Sequence, residues 1–255
     1  MARIKRSGTW GLRVFGVEGL PEFVEGMRVG EEIASRAALE NGDVLVVSQK
    51  IVSKTEGRVR RLSSVLPGAE ARKLAAALGK EPALVELILE ESREVLRAER
   101  GVLITETRHG FVCANAGIDT SNLPEPDTVS LLPEDPDASA CRIREEIRAA
   151  GVTTAVIVSD SFGRAWRLGQ TEVAIGCAGI APLDDWRGRS DAEGRELEAT
   201  AIAIADEAAA AADLVRDKAS GIPVAIVRGL DRFVTSDDGP GAGALRRPRD
   251  EDLFR

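Results

Sequence analysis

Three short apolar runs constrain this chain more than any other feature: Val44-Leu45-Val46-Val47, residues 152–158, and residues 224–227. An unbroken run of this length, rich in β-branched residues and bounded by turn formers, reads as a strand covered on both faces, because a half-exposed strand would alternate apolar with polar. Asn41-Gly42-Asp43 stands before the first run, and Gly221-Ile222-Pro223 opens the third. With 255 residues, 44% of them hydrophobic, the chain can bury a substantial core around such strands, as one large domain or two small interlocked ones.

The remaining pattern places helices and turns between these strands. Residues 12–17 alternate like a strand and run into the turn Glu18-Gly19-Leu20-Pro21, and residues 31–39 suit a helix. Two helical patterns between 69 and 96 are separated by Gly79-Lys80-Glu81-Pro82, with Pro82 where a helix can begin. Residues 102–107 and 111–114 read as a hairpin about Arg108-His109-Gly110. A connection over 124–136, with four prolines and four acids, leads into a helix over about 137–150 and is the candidate crossing between subdomains, near 123–137. Residues 190–215 read as one alanine-rich helix, with Ser190 as N-cap and Glu193 as its capping-box partner. The order of elements is not a clean βαβαβ alternation, so a doubly wound nucleotide-binding sheet is not expected.

Composition removes several function classes. A net charge of -8, from 34 basic and 42 acidic residues, argues against a footprint for duplex nucleic acid or an anionic membrane surface. No stretch approaches the roughly 18 apolar residues of a membrane span, and residues 1–10 lack the apolar core of a secretory signal, so a cytoplasmic location is expected. Cys113, Cys141 and Cys177 show no paired spacing and read as reduced, half-buried residues. The single histidine, His109, sits in a hairpin turn, a poor place for a nucleophile's base. Neither GxxxxGK[ST] nor a GxGxxG joining strand to helix is present, and Gly239-Pro240-Gly241-Ala242-Gly243 reads as a flexible loop, since Pro240 removes a donor.

What remains is polar residues placed just beyond apolar runs. Asp119, in the loop Asn115 to Asn122, and Asp160, in Ser159-Asp160-Ser161-Phe162-Gly163-Arg164, either cap turns or converge on a hard cation such as Mg²⁺ or Mn²⁺. Gln49, Lys50 and Lys54 lie at the end of the first apolar run, where an ammonium reaches a phosphate without crossing the core, or serve as solvated surface. Arg164, Arg167, Arg187 and Arg189, interleaved with Trp166 and Trp186, offer a carboxylate or a flat ring pairing and stacking partners, or pack against the core.

Several strings spread over nearly the whole chain resemble the γ-glutamyl ligase family of coenzyme F-420 biosynthesis. They are Val17-Glu18-Gly19-Leu20-Pro21, the stretch from Gly42 through Arg58, Asn115 to Asn122, Ser159 to Arg164, Asp185-Trp186-Arg187-Gly188-Arg189, Asp191 to Leu197, and Gly221-Ile222-Pro223 through Leu230. The resemblance implies an α+β fold, neither Rossmann nor P-loop, of two interlocked mixed subdomains in an intertwined homodimer. It implies a GTP-dependent ligase that adds L-glutamate to the coenzyme F-420 precursor with Mg²⁺ or Mn²⁺, and with room for K⁺. By position, Gly19, Leu20, Pro21, Glu22, Gln49, Lys50, Lys54 and Asn122 are similar to the nucleotide contacts. Asp119, Asp160 and Ser161 are similar to the metal ligands, and Asp119, Asp160 and Lys54 are the residues expected to carry the chemistry. The chain departs where archaeal relatives tend to place a glycine and a metal-binding glutamate. It has Asp217 and Lys218 there, leaving Asp217 as a replacement carboxylate or Lys218 as a phosphate contact. The rivals are an amide ligase with another acceptor and a noncatalytic GTP-binding protein.

Overall fold

The computed structural model describes residues 11–121, 123, 125–216 and 219–253. In chain order the first half contains β1 (Arg13–Gly16), α1 (Val29–Arg36), β2 (Val44–Ser48), α2 (Gln49–Thr55), β3 (Val59–Arg61), α3 (Ala69–Leu78), α4 (Pro82–Glu90), β4 (Ser92–Glu99), β5 (Val102–Thr107) and β6 (Val112–Ala114). The second half contains β7 (Thr128–Ser130), α5 (Pro136–Ala149), β8 (Ala155–Arg164), β9 (Arg167–Ala178), β10 (Asp184–Asp185), β11 (Ala201–Ile202), α6 (Ile204–Asp213) and β12 (Val224–Arg228).

All three apolar runs enter one sheet of strand order β1-β12-β2-β8-β9. Only β2 and β8 in it are parallel, the other neighbours being antiparallel. The fold is therefore mixed α+β and not doubly wound. The uninterrupted apolar sequence follows from coverage on both faces. Leu45 and Val47 pack with Val156, Val158, Ile33, Ile143 and Ile147 in one core, under α1 and α5. Val44 and Val46 point the other way and join Ala155, Ile157 and the alanines 205, 208, 209 and 212 of α6. Small residues let these layers close. A Cβ at Gly176 would lie 2.2 Å from the Pro136 carbonyl oxygen, so only glycine lets α5 start against β9. Asp135 caps that helix, accepting from the Ala138 amide at 3.0 Å, with Pro136 in its first turn.

A third core lies apart, built by α3, α4, the three-stranded sheet β4-β5-β6 and the segment from 116 to 131. Strand β7 pairs with β3, and the chain passes between cores in a single step: Leu131 belongs to the third core and Leu132 to the first.

Four sequence expectations are corrected. The helix expected over 190–215 is helical only from Ile204 to Asp213. Ahead of it the Asp191 carboxylate accepts from the amides of Glu193 and Arg195, and Ser190 forms a bridge with Glu196, so local side-chain bonds compete the helix away. The second helical pattern between 69 and 96 stops at Glu90, because residues from Ser92 onward pair with β5. The polar string 159–164 is no loop but continues β8 along β9. Cys113 and Cys177 are fully rather than half buried.

Candidate active site

Parallel pairing of β2 with β8 brings the two polar strings together. Ser48 registers with Ser159, so Gln49 and Lys50 leave the sheet beside Asp160 and Ser161, at the carboxyl ends of the only parallel pair among the described residues. In open α/β sheets ligands bind in the crevice beyond such strand ends. Here it opens into a cavity of 390 Å³. Leu20, Pro21 and Glu22 form one wall, Gln49, Lys50 and Lys54 a second, and Asp119 and Ser121 a third, with Asp160, Ser161, Glu172, Asp213 and Arg216 at the floor.

Each wall residue has a local reason for its place. Asp119 is held by a two-bond bridge to Ser130, its amide donating at 3.0 Å and its carbonyl accepting at 2.9 Å. Its Oδ1 accepts from the Ser121 amide at 2.7 Å, and Lys50 Nζ lies 2.9 Å from Oδ2. Lys50 Nζ also donates to the Ser121 carbonyl at 2.8 Å and to its Oγ at 3.0 Å. Lys54 is paired with Glu22 across the cavity mouth. Gln49 is buried and accepts from Ser53 at 2.9 Å. Gly19 stands outside the lining, with φ of +71° and its carbonyl accepting from Arg36 Nε at 2.9 Å. Asn122, Asp217 and Lys218 lie outside the described residues.

The floor holds a network that the sequence did not announce. Glu172 faces Ser161 across the β8–β9 pair and accepts from its hydroxyl at 2.5 Å. Arg216, just past α6, donates from Nη2 to the other Glu172 oxygen and to Ser159 Oγ, each at 3.1 Å. Its Nη1 donates to the carbonyls of Pro223 at 3.3 Å and Val46 at 3.4 Å. One guanidinium thus ties three adjacent strands, β2, β8 and β9, to the residue that leads into β12. The only sequence signals were an acid among the apolar residues of β9 and an arginine beyond an alanine-rich helix.

Among the described residues acids outnumber cations at the floor. Burial, then the charges of Glu172 and Asp119, push the Asp160 carboxyl up to about 7, against the Ser161 amide and Lys50. Burial alone would raise Asp119 too, but the hydrogen bond and charge of Lys50 and the Ser121 amide hold it below the ordinary carboxylate value. Among the described residues no three acids, thiols or imidazoles have the spacing to cage a metal. The donor set is all oxygen, and a hard divalent cation needs only one or two carboxylates when substrate phosphates complete its shell. Asp119, Asp160 and the Ser161 hydroxyl line the cavity together and fit that requirement.

Other candidates are dispersed. His109 does not line the cavity; its Nε2 lies 3.0 Å from the Pro133 carbonyl, and its ring stacks on Phe111. Arg164 and Arg167 occupy the β8–β9 hairpin tip, with Trp166 82% exposed. Arg187 and Arg189 sit on the arm between β10 and β11, which leaves the opposite end of β9. There Arg189 lies over Trp186, and the two arginines pair with Asp185 and Asp184. The four arginines form no single cluster.

The sequence is similar to known proteins over most of its length. A family model described as F420-0:gamma-glutamyl ligase matches residues 19–229. Over 252 residues the chain is 44% identical to the coenzyme F420:L-glutamate ligase of Methanothermobacter thermautotrophicus, covering 96% of this chain and 99% of that one. It is 42% identical over 247 residues to the ligase of the same name from Methanocaldococcus jannaschii, covering 96% and 97%. The Haloarcula marismortui ligase of that name is 44% identical over 252 residues, covering 96% of each. Since the matched span takes in both polar strand ends, Asp119 and the floor of the cleft, the chain belongs to the F420-0:gamma-glutamyl ligase family.

Proposed function

We propose that this protein is a GTP-dependent ligase that forms an amide between a carboxylate of the glutamate-free coenzyme F-420 precursor and the amine of L-glutamate, with later additions γ-linked. The observation that carries the reading is the meeting of Asp119, Asp160 and Lys50 in one cavity, from strings 41 and 69 residues apart in the chain. Family membership supports the substrates.

A carboxylate forms no amide at neutral pH until one oxygen becomes a leaving group. In the proposed route the acceptor carboxylate attacks the γ-phosphorus of GTP, and the bond to GDP breaks to leave an acyl phosphate. The glutamate amine then attacks the acyl carbon, the C–O bond to phosphate breaks, and the amine's proton leaves with the released phosphate or to water. When bound, Mg²⁺ or Mn²⁺ would neutralise charge on the transferring phosphoryl group, held by Asp119, Asp160 and Ser161. Lys50 and Lys54 bring ammonium groups to the walls, where they suit the phosphate oxygens. Leu20, Pro21 and Glu22 form the facing wall for the nucleotide. The working unit is proposed to be a homodimer, which sedimentation would test.

The deciding experiment is mass spectrometry of the F-420 precursor incubated with protein, GTP, L-glutamate and Mn²⁺ or Mg²⁺. Stepwise glutamyl increments with matching GDP release are expected. GTP binding without GDP release or product, with either metal, would sink the reading in favour of a noncatalytic protein. Product on a different acid would reassign the acceptor.

A further inference from the structure

The cleft continues past its mouth into a side chamber of 350 Å³. Glu22, Phe23 and Lys54 line both spaces, so one molecule can occupy the two at once, with its anionic end near Lys54. Phe23, Val24, Val59 and Leu123 give the chamber apolar walls, and Val24 is 58% exposed. Apolar walls with a few fixed polar groups are what a ring-bearing ligand needs, the walls for its faces and the polar groups for its edge. Three acids line the chamber among the described residues, and two of them are answered: Glu22 by Lys54 and Glu125 by Arg61. The third, Glu25, has neither an ion pair nor a hydrogen bond among those residues.

Local structure nevertheless places Glu25. It is the second residue of a turn in which the Met27 amide donates to the Val24 carbonyl at 3.2 Å, and the Gly26 amide ties that turn to the Thr55 carbonyl of α2 at 2.9 Å. Its carboxylate rests against Gly57, where a Cβ would lie 2.9 Å from Oε1 and 3.0 Å from Cδ, so a larger residue there would push it aside. An anionic acceptor between apolar walls calls for a ring whose edge carries donors. Guanine presents its N1–H and its N2 amine side by side, and one carboxylate accepts from both, as it does from an arginine fork. Adenine turns the N1 lone pair toward the same carboxylate. The acceptor substrate brings a carboxylate of its own, which Glu25 would repel.

We infer that Glu25 is the residue that selects guanine, with the base in the side chamber and the phosphates in the cleft. The inference rests on the reading above in taking a nucleoside triphosphate as the occupant of the cleft.

The measurement is calorimetric titration of the full chain with non-hydrolysable triphosphates of guanosine, inosine and adenosine in Mg²⁺, which needs no turnover. Glu25 bonds to nothing among the described residues, so Glu25→Ala should fold as wild type does. Wild type should bind the guanosine compound about 10- to 100-fold more tightly than the adenosine compound, the discrimination expected of a two-pronged contact to a base edge. The inosine compound, which keeps N1–H but lacks the amine, should fall between them. In Glu25→Ala the three affinities should converge near the wild-type value for adenosine. A merely structural role would instead lower all three alike, and that result overturns the inference. It is overturned equally by a variant that keeps the guanine preference, or by a wild type that shows none or binds none of the three. If wild type makes glutamyl product from GTP while Glu25→Ala keeps the preference, the inference fails and the ligase reading stands. If the preference vanishes with Glu25 in a protein that makes no product, the ligase reading fails and the inference stands.

Discussion

The two ends of the central sheet treat buried charge in opposite ways. At the end away from the cleft, Asp43 is 1% exposed and receives Arg228 in a two-pronged pair, Nε to Oδ1 at 2.7 Å and Nη2 to Oδ2 at 2.8 Å, with the Glu40 amide also donating at 2.8 Å. Nearby, buried Arg144 donates to the Thr154 and Thr235 carbonyls and pairs with Asp238. Each charge there is answered inside the fold. At the cleft end, among the described residues, Asp119, Asp160, Glu172 and Asp213 crowd around fewer cations, and Asp160 is pushed up to about 7. A fold built for stability alone would not leave that imbalance, and its natural complement is a ligand that brings positive charge.

The largest test of the contrast is Asp160→Asn. Glutamyl transfer, followed by GDP release, should fall at least about 1,000-fold, or about 4 kcal/mol in the barrier, the upper range for losing one electrostatic group in a preorganised site. The variant should nevertheless unfold no more easily than wild type. Asp43→Ala should do the reverse. Chemical denaturation should show a loss of about 3 kcal/mol, at the low end for breaking a buried pair because Arg228 stays partly in water. The KM for GTP should be unchanged. A variant at either end that moved both quantities alike would erase the distinction.

The next effect appears in the pH dependence of the metal-free protein. Asp160 has a folded value of about 7 against an unfolded value near 3.8, so the folded state binds more protons between them. Its favourable contribution is therefore complete below pH 3.8 and fades as pH rises toward 7. Between pH 5 and 7 the loss should be on the order of 2 kcal/mol, seen as a falling midpoint in urea. Asp160→Asn should flatten that limb. An equally steep limb in the variant would place the strain elsewhere.

Both halves of this contrast were unevenly legible in the sequence. The strands β2, β8 and β12 declared themselves because coverage on both faces leaves an apolar run, and Asp119 and Asp160 stood out as acids following such runs. Their convergence was not readable from spacing, because it depends on the bridge that holds Asp119 beside Ser130 and on β2 lying parallel to β8, both facts of topology. Arg216 and Glu172 stayed hidden for a similar reason: their bonds join strands whose partners lie up to 170 residues away. The start of the last helix was misplaced because Asp191 and Ser190 can cap a helix or close a turn with the same atoms, and Gly194 lies between. The arginines 164, 167, 187 and 189 were near in sequence yet belong to two separate hairpins, β8–β9 and β10–β11.

The smallest effect sharpens the comparison most, because it removes a cation from the end already short of them. Lys50 gives its ammonium to Asp119 and twice to Ser121, and is the group that carries Asp119 below its ordinary value. Asp119 is about one-third exposed, so solvent screens the pair, and Lys50→Met should cost stability by no more than about 1 kcal/mol at neutral pH. The sign follows from the lowered value: the pair's contribution is present above the unfolded carboxylate value and disappears as pH falls through the folded one. The wild type and variant should therefore converge in stability as pH falls below the ordinary carboxylate value. Adding Mn²⁺ with a GTP analogue should stabilise both proteins, since any ligand of the folded state does so, with Lys50→Met requiring about 10-fold more nucleotide. If instead the variant lost several kcal/mol without ligand, Lys50 would belong with Arg228 as a structural cation, and the cleft end would no longer differ in kind from the other.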